Sequence, residues 1–379
     1  MDYATALDVG KRKREQGGIN EDSVAVDLLE DGHRDAGRSA GVFALADGAG
    51  GAQSGDVASY VATVEVTRRL TDRLWAGRDV GEVLDLSQQA GGQRTLAGEP
   101  VEDPLGSMDD DAIQRCITDA IQAAHTRLLE VVNDLGLQNS YTTVVAAVAA
   151  GGRLHYGWVG DSRAYVVNVG PDRDDDQRLT LLTKDHSEVE ELVSQGSIDE
   201  VEAHVHRHGN RITRALGGTR GEDPERSSVP VDTASVPLYG DDVVLLTSDG
   251  LVDAYTGAPQ LHEAYEEAED TDPVAEEILE KSVTDDEIRD VVLGADSLAS
   301  AADRFVDLSN ERGGKDNVSV VLFRDETLPD GPAGSLPLRE YDPDPERVLD
   351  WDTVKQVSDD RPEQVDPVED ESRTDDPDS

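Results

Sequence analysis

The sequence predicts an α+β layered domain. Three observations carry this: short β-branched apolar runs bounded by Gly or Asp, two long helical patterns between them, and blocks of strands and helices instead of strict alternation.

The elements follow in chain order. A strand is expected to open at Ser23, behind Asn20-Glu21-Asp22, and a second covers residues 42–46 and ends at Asp47-Gly48. Residues 57–74 have helical spacing, whereas residues 77–110 are rich in Gly, Gln and Asp without a period and read as a surface insertion. In residues 111–135, Ile113, Ile117, Ile121, Leu128 and Val132 recur on one face behind an acidic first turn, which predicts a long amphipathic helix. Cys116 lies beside Ile117 on that helix and is expected to be a core thiol, not a nucleophile. Buried strands are predicted over 142–150, 154–159, 164–169, 243–247 and 318–323. Residues 170–177 read as an acidic turn and 201–237 as a further surface insertion. From 325 to 379 the chain is dense in Pro, Asp and Glu with almost no apolar period, so a disordered acidic tail is expected after a domain covering 1–324.

Composition excludes several classes of function. Against 34 Lys+Arg stand 82 Asp+Glu, a formal charge of −48, which repels phosphate backbones and anionic lipid and leaves nucleic acid and membrane as unexpected partners. A lone cysteine forms no internal disulfide, the amino terminus has no apolar stretch behind its Lys/Arg cluster, and no run approaches a membrane span, so a cytoplasmic protein is expected. Only six of the basic residues are lysines. That skew, the acidity and the few aromatics point to a salt-loving source, where molar salt screens repulsion within about 3 Å.

The chemistry lies where apolar runs meet carboxylates. Asn20-Glu21-Asp22 precedes one strand, Asp47-Gly48 and Asp249-Gly250 end two others, Asp161 follows Trp158-Val159-Gly160, and Asp316-Asn317 opens the last. Each Asp-Gly pair alone is also a common turn signal. Several carboxylates held rigidly at strand ends repel one another unless cations neutralise them, and an oxygen-only ligand set suits Mg²⁺, Mn²⁺ or Ca²⁺ better than Zn²⁺. Asp47-Gly-Ala-Gly-Gly51 lacks the third glycine of a dinucleotide fingerprint, and Gly160-Asp-Ser-Arg-Ala164 lacks the second glycine of a nucleophile elbow.

In combination these stretches resemble the type 2C metal-dependent serine/threonine protein phosphatases in their bacterial and archaeal form. The matching motifs are Ile19-Asn-Glu-Asp-Ser23, Phe43-Ala-Leu-Ala-Asp-Gly-Ala-Gly-Gly51, Ser140-Tyr-Thr-Thr-Val144, Val159-Gly-Asp-Ser-Arg-Ala-Tyr165, Leu182-Thr-Lys-Asp-His186, Ile212-Thr-Arg-Ala-Leu-Gly217, Leu246-Thr-Ser-Asp-Gly-Leu251 and Lys315-Asp-Asn-Val-Ser319. They stand in the family's order. The resemblance implies a four-layer αββα sandwich of two antiparallel sheets flanked by helices, with a flap over about residues 186–237. It implies two Mn²⁺ or Mg²⁺ ions, and in many members a third. Asp47 would bridge the two, Gly48 would offer its carbonyl, and Asp249 and Asp316 would be ligands. Glu21 and Asp22 would ligate directly or hold metal-bound water, and Asp161 would help hold the third ion. A water between the two metals would attack phosphoserine or phosphothreonine with no covalent phosphoenzyme. Phosphorylated proteins and a cognate serine/threonine kinase are the implied partners.

Two positions depart from the pattern. The family's phosphate-binding Arg shortly before the Asn/Glu-Asp motif is replaced by Gly17, leaving Arg12 or Arg14 of Gly10-Lys-Arg-Lys-Arg14 to take the role. Ala49 stands where many eukaryotic members carry His, so a metal-bound water would be the acid. His204, His206 and His208 alternate, and on a strand would share a face able to take a transition metal; exposed flap histidines are the plainer reading. The alternative function is a catalytically silent phosphoprotein-binding or regulatory module of the same fold, which predicts lost metal ligands.

Overall fold

The computed structural model describes residues 1–31, 38–49, 54–75, 110–171, 173–253, 257–268, 270–332, 336–337, 339 and 341. In chain order the strands are β1 (Asp2–Asp8), β2 (Ser23–Asp31), β3 (Arg38–Ala46), β4 (Gly48–Ala49), β5 (Asn139–Thr142), β6 (Val144–Ala150), β7 (Arg153–Val159), β8 (Arg163–Asn168), β9 (Leu179–Leu181), β10 (Leu216–Thr219), β11 (Asp232–Pro237), β12 (Asp242–Thr247) and β13 (Val318–Arg324). The helices are α1 (Lys11–Glu15), α2 (Gly55–Trp75), α3 (Asp110–Leu135), α4 (Glu188–Ser194), α5 (Glu200–Ala203), α6 (Ala258–Glu267), α7 (Asp272–Lys281), α8 (Asp285–Gly294) and α9 (Leu298–Arg312). None of the described helices is long and apolar enough to cross a membrane.

Two five-stranded sheets, ordered β11-β7-β6-β3-β2 and β1-β13-β12-β8-β9, face each other, and all their pairings are antiparallel. The period of two in β6 decides the layering. Val145, Ala147 and Ala149 point between the sheets, while Val144, Ala146 and Val148 meet α2 and α3 on the outer face. Phe43 of β3 stacks on Phe323 of β13 with ring centroids 3.7 Å apart, joining the sheets at the centre. On the far side α8 and α9 bury Ile288, Val292, Phe305 and Leu308 against β12 and β13. The result is the expected αββα order. Cys116 is buried in the helix-side core, as its neighbour Ile117 suggested.

The structure adds elements that the sequence reading does not contain. The region read as an insertion over 201–237 contributes β10 and β11, the latter pairing along β7 from Asp232↔Trp158 to Pro237↔Arg153; its half-buried residues give no apolar run to detect. The four helices from α6 to α9 carried no assignment, although capping boxes at Thr284 and Ser297 mark two of their starts. The insertion over 77–110 lies outside the described residues except Asp110.

Described residues beyond the expected boundary at 324 also touch the core. Leu328 and Tyr341 pack on the core between the sheets, and Tyr341 meets Trp158 edge-on at 4.8 Å. Arg339 is buried and donates to both oxygens of fully buried Asp242 at 3.1 and 2.9 Å. The segment docks through isolated anchors with no shared period, so composition alone read it as tail. Residues 342–379 lie outside the described set.

Candidate metal centre

The antiparallel registers bring the carboxylate-bearing strand ends to one end of the sandwich. Ser23 pairs Ala46, Leu45 pairs Val145, Val144 pairs Val159, and Thr247 pairs both Arg163 and Val320. Asp22, Asp47, Asp161, Asp249 and Asp316 flank these pairs by one to four residues, so their convergence follows from register.

Local contacts hold several of them. The Asp47 amide donates to Thr143 Oγ1 at 3.0 Å, and the Asp47 carbonyl accepts from Thr143 N at 2.8 Å. Gly48 N donates to the Glu21 carbonyl at 3.2 Å, and a Cβ on Gly48 would lie 2.1 Å from the Gly55 carbonyl oxygen, so only glycine fits. Gly250 is as confined, because a Cβ there would lie 1.7 Å from the Asn317 carbonyl oxygen. Ser248 Oγ donates to Asp22 Oδ2 at 2.9 Å and accepts from Ser319 N at 3.0 Å.

The electrostatics show what the cluster lacks. Burial first, with Asp316 adding to it and the Ser248 hydroxyl opposing, pushes Asp22 up to about 6. Burial, then Asp253 and Asp316, push Asp249 up to about 7. Asp47 is raised well above the usual carboxylate range by burial and by the nearby Asp22, Asp249 and Asp316. Asp161 is raised likewise by burial and by Asp249, Asp185 and Asp253. Asp22 Oδ1 and Asp249 Oδ1 are buried without a hydrogen-bond partner. Orphaned carboxylate oxygens among mutually repelling carboxyls fit divalent cations with oxygen ligands.

One protein cation already sits there. Lys13 Nζ donates to Asp316 Oδ1 at 2.6 Å and Asn317 Oδ1 at 2.8 Å and lies 3.2 Å from Glu21 Oε2. Burial works against its charge, yet Asp316 and Glu21 hold it above the ordinary lysine value. Arg12 is exposed, and Arg14 is exposed and pairs with Asp8 at 2.5 Å. Of the Lys/Arg cluster, the structure thus brings Lys13 to the carboxylates and not Arg12 or Arg14. Successive residues of the short α1 turn point different ways, so only one of the three can face the site.

Sequence reasoning missed three further residues. Asn317 joins the pieces: its Oδ1 accepts from Glu21 N at 2.8 Å, and its Nδ2 donates to the Val9 and Ile19 carbonyls at 3.1 and 3.0 Å. Asp253 is raised by burial, against the pull of Lys315 and Arg163, and its signal was the spacing of four from Asp249, whose carbonyl accepts the Asp253 amide at 2.8 Å. Asp185 forms a forked pair with Arg163, at 3.1 Å from Nε to each oxygen and 2.7 Å from Nη2 to Oδ2.

The histidines do not share a strand face, because residues 200–211 form α5 and turns. His208 Nδ1 pairs with Glu188 Oε1 at 2.7 Å, and His204 is held below its ordinary value by burial and the Arg163 charge.

Comparison with known proteins agrees with this geometry. A family model described as protein phosphatase 2C matches residues 9–291. A serine/threonine phosphatase stp of Listeria welshimeri is 27% identical over 291 residues, 76% of this chain and 86% of that one. The serine/threonine protein phosphatase PstP of Mycobacterium tuberculosis is 29% identical over 281 residues, 74% of this chain and 40% of that protein. The crystal structure of the M. tuberculosis serine/threonine phosphatase PstP/Ppp superposes with a TM-score of 0.54 at 26% identity, covering 85% of this chain and 97% of that one.

Proposed function

The chain belongs to the protein phosphatase 2C family, and from that premise we propose that it hydrolyses phosphoserine and phosphothreonine in proteins at the carboxylate-lined end of the sandwich. It is a serine/threonine protein phosphatase using Mn²⁺ or Mg²⁺. Asp47, the Gly48 carbonyl, Asp249 and Asp316 would hold two ions, with Glu21 and Asp22 beside them and Asp161 and Asp253 available to a third. Bound there, divalent cations lower the pKa of water toward neutrality and neutralise the phosphate.

The residues of the chain then have separate tasks. Asp22, held through Oδ2 by Ser248, keeps an unpartnered Oδ1 that can accept a proton from water. Asn317 fixes Glu21 and the start of β13 in one frame. Lys13, at the edge of the carboxylate cluster, would take the phosphate-binding part expected of Arg12 or Arg14, its ammonium offering a donor to a phosphate oxygen. The observation that carries the reading is the pair of orphaned oxygens, Asp22 Oδ1 and Asp249 Oδ1, within carboxyls pushed toward neutrality. The silent-module alternative predicts lost ligands, and Asp47, Gly48, Asp249 and Asp316 are all present. The domain would run to about Tyr341, in the cytoplasm of a salt-loving cell, acting in signalling opposite a cognate kinase.

The test is hydrolysis of a phosphothreonine peptide in high salt, with and without Mn²⁺, by the wild type, Asp47→Asn and Asp249→Asn. The two variants should lose at least about a thousandfold in turnover, since metals contribute several kcal/mol to the transition state. Turnover unchanged by metal removal, or kept by Asp47→Asn, would refute the reading.

A further inference from the structure

We propose that Glu202, His206 and His262 form a second cation site, for a borderline transition cation of the Zn²⁺ class, which ties the segment carrying α5 to α6. One ligand atom from each of the three lies within 4.8 Å of the others. Glu202 is in α5, His206 lies one turn beyond it, and His262 comes from α6.

The orientation of His262 carries the argument. Its ring is buried, with 7% of the side chain exposed, and its Nε2 has no hydrogen-bond partner. That nitrogen lies 3.4 Å from Glu202 Oε1, while Nδ1 lies 3.6 Å from Glu266 Oε2. Carboxylates thus flank both ring nitrogens, and a cation held by Nε2 and Glu202 Oε1 would leave the Nδ1 side facing Glu266, the arrangement found behind metal-binding histidines. Nε2 is buried and makes no hydrogen bond, and a metal ligated by it and by Glu202 would supply the missing partner.

His206 completes the set. Its ring meets His262 edge-on at 4.9 Å. Burial, first among the causes, holds it below its ordinary value. Its Nδ1 accepts the His208 amide at 3.2 Å, the long end of the range, and coordination through Nε2 would exchange that contact for a metal bond. Two imidazoles and one carboxylate are a zinc-type donor set that leaves a fourth position for water, quite unlike the all-oxygen cluster at the strand ends.

The site also has mechanical work to do. Among the described residues the same elements share a small buried apolar cluster of Val205, Leu261 and Ile278, and Tyr265 Oη donates to Asp199 Oδ2 at 2.8 Å as a second tie between α6 and the start of α5. Four residues beyond His206, Asn210 Oδ1 accepts from Lys315 Nζ at 2.9 Å, next to Asp316. A cation at His206 would therefore anchor the segment that reaches the carboxylate centre.

The experiment strips the full chain with chelator, equilibrates it with excess Mg²⁺ and low Zn²⁺, and measures bound zinc by elemental analysis. The wild type should keep one Mg²⁺-resistant zinc and melt at a higher temperature with it. His206→Gln, at a half-exposed position that keeps the fold, and His262→Gln should bind it at least about a hundredfold more weakly, since even residues that only support ligands are worth ten- to a hundredfold. Asp47→Asn should keep it. No Mg²⁺-resistant zinc in the wild type, equal zinc in His206→Gln, or zinc lost in Asp47→Asn would overturn the proposal. The readout is metal content, so a failure here is distinct from a failure of the phosphatase reading.

Discussion

Lys13 stands where a metal-bound cluster would keep positive charge, with Asp316, Glu21 and Asn317 all within 3.2 Å of its ammonium. Two consequences with opposite signs follow from removing it. Lys13→Met takes a cation away from the carboxylates, so Mn²⁺ should bind more tightly. The same change removes the basic group nearest to an incoming phosphate, so KM for a phosphothreonine peptide should rise by roughly tenfold or more, the worth of one charge-assisted hydrogen bond. Arg12→Gln and Arg14→Gln should leave KM within about twofold, because Arg12 is exposed and Arg14 is engaged by Asp8. Metal titration and steady-state kinetics on the three variants separate these outcomes. A KM unchanged in Lys13→Met but raised in Arg12→Gln would return the role to the arginine.

The elements deliver the site because strand ends are rigid, and Asn317 shows how much one joint contributes. It ties β13 to the segment before β2 through Glu21 N and the Val9 and Ile19 carbonyls. Asn317→Ala leaves buried backbone groups without partners and should cost about 2–3 kcal/mol in urea unfolding, with Mn²⁺ affinity falling because Glu21 and Asp22 lose their frame. An unchanged Mn²⁺ affinity would show that the segment is held elsewhere. This joint also explains what was legible from sequence. Asp22, Asp47, Asp249 and Asp316 could be read because each adjoins its own apolar run, whereas Lys13 meets Asp316 across 303 residues, and nothing local marks such a pairing. β1 escaped notice because its residues are exposed or only partly buried, and β11 because it is a half-buried edge. Asp253 and Asp185 follow no strand directly; Asp253 was marked only by its spacing of four from Asp249, and Asp185 joins the cluster through tertiary packing.

For the whole molecule the decisive quantity is the pH dependence of stability, because the raised carboxyls and the histidines pull in opposite directions. His155, pushed down to about 4, and His186, His204 and His206, also lowered, make stability rise as pH climbs toward the ordinary histidine value of 6.5. Asp232, lowered to about 2 despite burial by its bonds to His186 and Arg214, has given its full contribution well below that. Above about pH 7 these groups fall silent, whereas Asp249, raised to about 7, is still giving up its proton, with Asp47 and Asp161 raised in the same direction. Their folded-state values lie above the ordinary 3.8, so the folded chain binds more protons than the unfolded one. Metal-free protein should therefore lose stability from pH 7 to pH 9 at fixed salt. Mg²⁺ takes the place of those protons, so it should flatten the slope and raise the melting temperature more at pH 9 than at pH 7. Molar KCl should raise stability at both pH values by screening a net charge of −48, without removing the slope, since buried pairs are screened far less than surface ones. Asp47→Asn, with one carboxyl fewer to deprotonate, should show a shallower slope and a weaker response to Mg²⁺. Calorimetry of both proteins at the two pH values, with and without Mg²⁺, checks each step. A metal-free wild type whose stability rises from pH 7 to 9 would mean that the carboxyl cluster is already neutralised by the chain itself, with Lys13 the first group to examine.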